Sequence, residues 1–383
     1  MTTPLLTRVR ALRADLDSAL LERQEAVLGL ILALLSRSHV LLLGPPGTAK
    51  SLLARAVVDR VAGVRGFERL LTRFSEPSEL FGPPSLPALE EGRSERVVAG
   101  MLPEAHLAFL DEIFKANSAI LNSLLGLLNE RTFANGGAAP VRCPLVTVVA
   151  ASNELPQGDD LSALWDRFPL RFFVGYLAEE GSFRALLTRP APSVAATLSL
   201  ADLAAAQAEV AALPLAPAAV DALVSLREAL AAEGITASDR RWRESLGILR
   251  AHAWLAGRAK VEVADLEPLA HVLWGQPEDR AKVRGRVLGL AAPAYARALE
   301  ILDAALPARG EALKVRGRTP ADLAAVTAAL RRLSEARAEV EALASTQGDS
   351  PDARVAEVAT RLKDAAVEVS RHLTGAKPVG AAR

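Results

Sequence analysis

His39-Val-Leu-Leu-Leu-Gly-Pro-Pro-Gly-Thr-Ala-Lys-Ser-Leu52 is the stretch that decides the fold. His39 to Leu43 is a short, nearly continuous apolar run, as expected of a strand buried on both faces of a parallel sheet. Gly44–Pro45–Pro46–Gly47–Thr48–Ala49–Lys50–Ser51 follows, and a helical stretch from Ser51 to Ala62 opens out of it. Strand, glycine-rich loop and helix in that order are the context a phosphate-binding loop requires. Loop amides and the helix N-terminus supply donors and positive potential for phosphate oxygens. Lys50 is placed to reach the β- and γ-phosphates, and the Ser51 hydroxyl to ligate Mg²⁺. Leu52 completes the candidate nucleotide-binding set. One position departs from the common pattern: Ala49 stands where the motif usually has its last glycine.

Working outward, Leu107 to Leu110, Leu145 to Ala150 and Leu170 to Val174 repeat the buried-strand pattern, and Phe67 to Phe74 is a candidate fifth strand. Helical stretches lie between them, such as Ala116 to Leu128 with Ile120, Leu121, Leu124, Leu125 and Leu128 on one side. This alternation over roughly the first half predicts a doubly wound α/β domain. The run from Leu107 ends in Asp111–Glu112. Asp111 is placed to hold Mg²⁺ and Glu112 to orient and polarise the attacking water, a division of labour sufficient for phosphoryl transfer. Such a pair can also merely cap the following helix; the phosphate loop upstream favours the catalytic reading. Asn153 ends the next apolar run, where its carboxamide could bond both the γ-phosphate and the water.

Near Arg189–Pro190–Ala191–Pro192 the chain becomes Ala- and Leu-rich, with helical periodicity and no convincing strand. Ala218 to Ala231, Asp239 to Leu255 and Ala264 to Leu273 read as a small helical domain, closed by Gly275–Gln276–Pro277. Beyond it, Thr319–Pro320 and Ser350–Pro351 signal helix starts. Leu323, Val326, Leu330 and Leu333 form one stripe, and Val355, Val358, Leu362, Val369 and Leu373 another. With Gln347–Gly348–Asp349 between them, they suggest an antiparallel bundle. The domain reading is therefore 1–189, 190–275 and 276–383.

Composition narrows the function classes. The 383 residues carry 45 basic and 45 acidic side chains, so no global field draws the chain to nucleic acid or membrane. A single cysteine, Cys143, rules out an intramolecular disulfide and reads as a small buried hydrophobe. Met1 to Leu20 lacks the apolar run of a signal peptide, and Val27 to Leu35 is too short to span a bilayer. A cytoplasmic location is expected. The five histidines, His39, His106, His252, His271 and His372, show no metal-ligand spacing.

Taken together, the phosphate loop, Asp111–Glu112, Asn153 and Leu164-Trp-Asp-Arg-Phe168 resemble the AAA+ superfamily. Within it they resemble the MoxR family, whose phosphate loop reads G-P-P-G-x-A-K with alanine at the unusual position. Gly44 to Ser51, Leu164 to Arg171 and Ser238-Asp-Arg-Arg-Trp242 are similar to the RavA-like branch. The resemblance covers roughly residues 1–275; the terminal helices share only the general character of that branch's bundle, and its compact β-rich insertion has no counterpart. What the resemblance implies is an AAA+ P-loop NTPase core with an all-α lid, ATP and Mg²⁺ as ligands, and ATP hydrolysis. It also implies a ring, a hexamer in this family, that remodels a client protein, often one with a von Willebrand factor A domain. Arg167 then looks like an arginine finger entering a neighbour's site, and Arg240 like a sensor arginine acting on phosphates of its own subunit. Arg171 and Arg241 lie close enough to exchange roles with them. Residues 75 to 103, with Pro83–Pro84, Leu86, Leu89 and Glu90–Glu91–Gly92, match the hairpin inserted into the second helix of this clade. Competing readings are a magnesium-chelatase-like metal-insertion motor and a nucleic-acid motor, the latter disfavoured by neutral charge and the lack of an aromatic-plus-basic groove.

Overall fold

Short apolar runs pair in parallel to make the central sheet of the computed structural model, which describes residues 3–136, 139–155, 159–189, 194, 197–316, 319–346 and 352–374. The strands are β1 (Val40–Leu43), β2 (Val61–Ala62), β3 (Gly66–Leu70), β4 (Leu107–Asp111), β5 (Thr132–Phe133), β6 (Val141–Arg142), β7 (Thr147–Ser152), β8 (Leu170–Phe173) and β9 (Leu198–Ser199). Five of them form the main sheet in the order β3-β4-β7-β1-β8. Val40 lies opposite Val149 on one side and Leu170 on the other. Because all five are parallel, their carboxyl ends share one edge, the place where open α/β sheets bind ligands. That edge carries Gly44, Leu70, Asp111, Asn153 and Val174 in one row.

The helices of this half are α1 (Pro4–Ala19), α2 (Gln24–Ser36), α3 (Lys50–Val58), α4 (Pro77–Phe81), α5 (Leu86–Glu90), α6 (Ser118–Glu130), α7 (Asp159–Trp165) and α8 (Glu180–Thr188). In α2, residues on every side are buried, as expected of a helix between packed layers. Its Gly29 permits the close approach: a Cβ there would sit 2.1 Å from the Phe172 ring. Two elements are shorter than the sequence pattern suggested. The candidate strand Phe67 to Phe74 ends at Leu70 and turns, and the helix from Lys50 stops at Val58, leaving Val61–Ala62 to pair with Leu198–Ser199. Within 75–103, Pro84 bridges Arg96 in antiparallel sense around α5.

His39, at the start of β1, is buried with both ring nitrogens engaged. Its Nδ1 accepts from the Val148 amide at 3.0 Å and its Nε2 faces the Leu128 carbonyl at 3.1 Å. The neutral Nε2–H tautomer satisfies both; a second proton would point at the amide donor. Burial, with Arg131 nearby, accordingly drives its pKa from 6.5 to about 3. Since the folded value lies below the unfolded one, the unfolded chain takes up the proton first. This contribution to stability is full above pH 6.5 and declines as pH falls toward 3. Relative to His39→Gln, the native chain is expected to lose about 2 kcal/mol of unfolding free energy between about pH 6.5 and pH 5, at ~1.36 kcal/mol per unit. Denaturant titrations across that range give the difference directly, and parallel curves for the two proteins would contradict the assignment.

The lid consists of α9 (Leu200–Ala212), α10 (Pro217–Ala232), α11 (Asp239–Ala256) and a 3-10 run, Val263–His271. The sequence suggested a regular helix over Ala264 to Leu273. Pro268 lies inside the run, and a proline there removes an N–H and crowds the preceding turn. The lid is clamped to the α/β core by polar contacts. Asp166 pairs with Arg241 at 2.7 Å and accepts from the Ser238 hydroxyl at 3.1 Å. Arg171, wholly buried, donates to the carbonyls of Phe168, Trp274 and Trp165 and stacks 4.4 Å from the Trp165 ring centroid.

Contacts divide the chain after Val283, within α12 (Arg280–Ala291). The second unit is built on α13 (Pro293–Ala312), α14 (Pro320–Ser345) and α15 (Ala353–Thr374). Arg297 pairs with Glu339 and Arg309 with Glu368, so α14 runs opposite to α13 and α15. Its core takes Val326, Ala329, Leu333, Ala336 and Val340 from α14, while Leu323, expected in that stripe, is 42% exposed. Val355, Val358, Leu362 and Val369 are buried as their spacing suggests. Pro190 to Pro192, Gln347 to Pro351 and the side chain of Leu373 lie outside the described residues. No helix among the described residues is long and apolar enough to cross a membrane.

Candidate active site

The chain leaves β1 at Gly44 and wraps back into α3. Gly44 has φ 149° and Gly47 φ 77°, and a Cβ on Gly44 would come within 2.1 Å of the Val174 carbonyl oxygen. Ala49 also lies in the left-handed region, at φ 68°. That explains why glycine is the usual residue here; alanine holds the conformation at a strain of roughly 1–2 kcal/mol. The loop is braced from inside by Lys50, whose Nζ donates to the carbonyls of Gly44 (2.7 Å) and Pro45 (2.9 Å) and to Asn153 Oδ1 (2.7 Å).

Asn153 arrives at the end of β7, and its Nδ2 donates to Glu112 Oε1 at 2.5 Å. Lys50, Asn153 and Glu112 therefore form one hydrogen-bonded row at the carboxyl edge. Glu112 has a left-handed φ of 55°, which turns its side chain off the end of β4 towards the loop, while its own amide donates to Asp111 Oδ1. Its other oxygen faces Lys115 Nζ at 3.4 Å, across one turn of 3-10 helix. Pro46 to Leu52, Arg55, Asp111, Glu112 and Asn153 line an open cleft of about 550 Å³, within the usual range for a small-molecule site.

The electrostatics suit a cation and a polyanion together. Burial pushes the Asp111 carboxyl above its usual range and the Glu112 charge adds to this, against the Glu112 amide and Lys50. A cation bound between Ser51 and Asp111 would relieve that repulsion, so the donor set fits Mg²⁺. Burial also pulls Lys50 down, opposed by Asp111 and Glu112.

The two candidate arginines are elsewhere. Arg240 Nη2 donates to Asn129 Oδ1 at 2.8 Å and its Nε to Glu244 at 2.9 Å. Asn129 follows Leu128, whose carbonyl meets His39 before the first residue of β1. Arg240 thus sits at the amino edge of the sheet, and β1 alone separates that edge from the phosphate loop by ~13 Å, at ~3.3 Å per residue. Arg167 precedes β8 at the same amino edge, and the Arg240 charge, after burial, lowers its pKa. Its contacts to Asn129 and Glu244 hold Arg240 away from the Lys50 loop of its own chain. The reason is the lid joint: Asp166 and Ser238 fix the start of α11 beside Arg167. Arg171 and Arg241 are both engaged in that joint.

Sequence reading missed Lys115, though its spacing of three from Glu112 within Asp111-Glu-Ile-Phe-Lys was visible. It also missed Arg23, whose Nη2 donates to Gly175 O at 2.6 Å and reaches Thr48 O of the loop at 3.5 Å, across 25 positions with no local signature.

A family model for the MoxR domain in the MoxR-vWA-beta-propeller ternary systems matches residues 7–202. The chain belongs to the MoxR family of AAA+ ATPases. A second model, an AAA lid domain, matches residues 218–287. Two uncharacterized proteins of Methanocaldococcus jannaschii are similar, one 37% identical over 274 residues (71% of this chain, 73% of the relative) and the other 36% identical over 277 residues (72% of each). The chaperone MoxR1 of Mycobacterium tuberculosis is 29% identical over 177 residues, 43% of this chain and 45% of its own. The crystal structure of a candidate ATPase from Cytophaga hutchinsonii superposes with a TM-score of 0.61 over 75% of this chain and 94% of its own, at 18% identity, a likeness of fold.

Proposed function

We propose that this MoxR-family chain hydrolyses ATP with Mg²⁺ and works as a ring, a hexamer by family resemblance, that remodels or activates a partner protein. One observation carries the reading. Lys50, Ser51, Asp111, Glu112 and Asn153 gather at the carboxyl edge of the sheet, while Arg167 and Arg240 stand together at the amino edge. In a ring, the amino edge of one copy can face the carboxyl edge of the next, so both arginines serve the neighbour's phosphates. Within one site, Lys50 and the loop amides hold the phosphates, Asn153 positions the terminal one, and Glu112 accepts a proton from the attacking water. Mg²⁺ held by Ser51 and Asp111 supplies charge neutralisation on phosphate oxygens. The matched family description supports a von Willebrand factor A partner, and the similarity of three stretches to the RavA-like branch stands beside it. A cytoplasmic setting suits both.

The test uses Glu112→Gln, which should bind ATP without turning it over. Native mass spectrometry with ATP should show a closed oligomer, and a co-expressed protein carrying a von Willebrand factor A domain should be retained only in the ATP-loaded state. A monomer under every nucleotide condition would sink the ring, and retention independent of nucleotide would sink the machine.

A further inference from the structure

Topology fixes which way a nucleotide must lie. The phosphate loop leaves β1, and β1 is flanked by β7 on one side and β8 on the other. Outside the loop itself, the groups this chain places for its own terminal phosphate, Asn153 on β7 and Asp111–Glu112 on β4, are on the β7 side. A triphosphate with its γ end there must carry its base out over the opposite flank, towards β8.

That flank is built. Val174 continues β8 past its end, its amide bonding Leu43 O at 2.7 Å, and delivers Gly175 and Tyr176 beside the loop. Arg23, buried between α1 and α2, ties three segments together: Nη2 donates to Gly175 O at 2.6 Å and reaches Thr48 O at 3.5 Å, and Nη1 donates to Glu22 O at 2.8 Å. The Glu22 carboxylate in turn accepts from the amides of Ala178 and Glu179, at 2.8 and 3.0 Å. On this frame the Tyr176 hydroxyl donates to Pro46 O of the phosphate loop at 3.3 Å, yet its side chain is 66% exposed. An aromatic ring left that open is ordinarily mobile; this one is held at both ends, against the loop, where a base would arrive.

We infer that Tyr176 is the stacking platform for the purine base of the nucleoside triphosphate, with the Arg23 brace fixing its distance from the phosphates. The inference rests on the nucleotide-site reading above and adds its base subsite. It separates two contributions to affinity, loop with triphosphate and ring with base. Inorganic tripolyphosphate, which has no base, is therefore the discriminating probe.

Calorimetric titration of the full chain with Mg-ATP and with Mg-tripolyphosphate tests it. Tyr176→Ala should weaken ATP binding roughly tenfold, the order of one base–aromatic stack, and leave tripolyphosphate within about twofold, a factor too small to reflect a lost contact. Tyr176→Phe keeps the ring and should hold both ligands near native affinity. Equal losses for both ligands in Tyr176→Ala, no loss for either, or a tenfold ATP loss in Tyr176→Phe would each overturn the platform. Failure of the underlying site looks different: native chain and Lys50→Ala would then bind tripolyphosphate alike.

Discussion

Lys50→Ala is expected to weaken ATP binding by roughly a hundredfold, since two charge-assisted hydrogen bonds of ~1.5 kcal/mol each are removed. Glu112→Gln should keep binding near native and lose turnover by about 10²–10⁴-fold, the range for removing a general base. The contrast follows from where the two groups stand. Lys50 lies inside the loop, with three oxygen partners already arranged around its ammonium, so it meets phosphates in the ground state. Glu112 connects to the loop through Asn153, which bonds Lys50, and its carboxylate faces the cleft where the attacking water would stand. A glutamine there preserves shape and the Asn153 contact but cannot take a proton. Labelled-nucleotide binding and phosphate release measure the two quantities separately. Turnover at native rate in Glu112→Gln would remove the residue from catalysis, and native affinity in Lys50→Ala would remove the loop from the nucleotide site.

Much of this site was legible because its parts are local. A buried strand, a glycine turn and a helix N-terminus must be contiguous to make a phosphate loop, so Gly44 to Leu52 announce themselves in one stretch. Asp111–Glu112 and Asn153 were legible for a related reason: each ends an apolar run, and parallel pairing carries all such ends to one edge. What the sequence did not show was anything set by packing between distant segments. The direction of Arg240 depends on Asp166 and Arg241, which are 75 positions apart and fix the lid against the core. Tyr176 reaches Pro46 across 130 positions. Leu323 fits the apolar stripe of α14 by spacing, yet lies in the first turn of the helix where the bundle core does not reach it. Ala49 shows the opposite case, a departure from pattern whose backbone conformation is still the one glycine would take.

Arg167→Ala is expected to bind ATP almost normally and to hydrolyse it at least ~100-fold more slowly, the order for a finger that neutralises charge on the transferred phosphoryl group. Its place is the motive: Arg167 precedes β8 at the amino edge of the sheet, whereas its own Lys50 loop leaves the carboxyl edge. Arg240 stands beside it, so the same loss is expected for Arg240→Ala. Mixing separates action on a neighbour from action at home. Lys50→Ala copies and Arg167→Ala copies are each inactive alone, but a mixed ring contains interfaces where an intact Lys50 faces an intact Arg167, and part of the activity should return. The decisive mixture pairs Lys50→Ala with a chain carrying both Arg167→Ala and Arg240→Ala. If both arginines serve the next copy, recovery equals that of the first mixture. If Arg240 instead swings to its own nucleotide during the cycle, the copies with an intact Lys50 lack it and nothing returns. With subunit exchange verified by mass-labelled copies, recovery in the first mixture alone would leave Arg167 as the only group acting across the interface. Recovery in neither would make the pair structural, a role its place beside the Asp166–Arg241 joint would then explain.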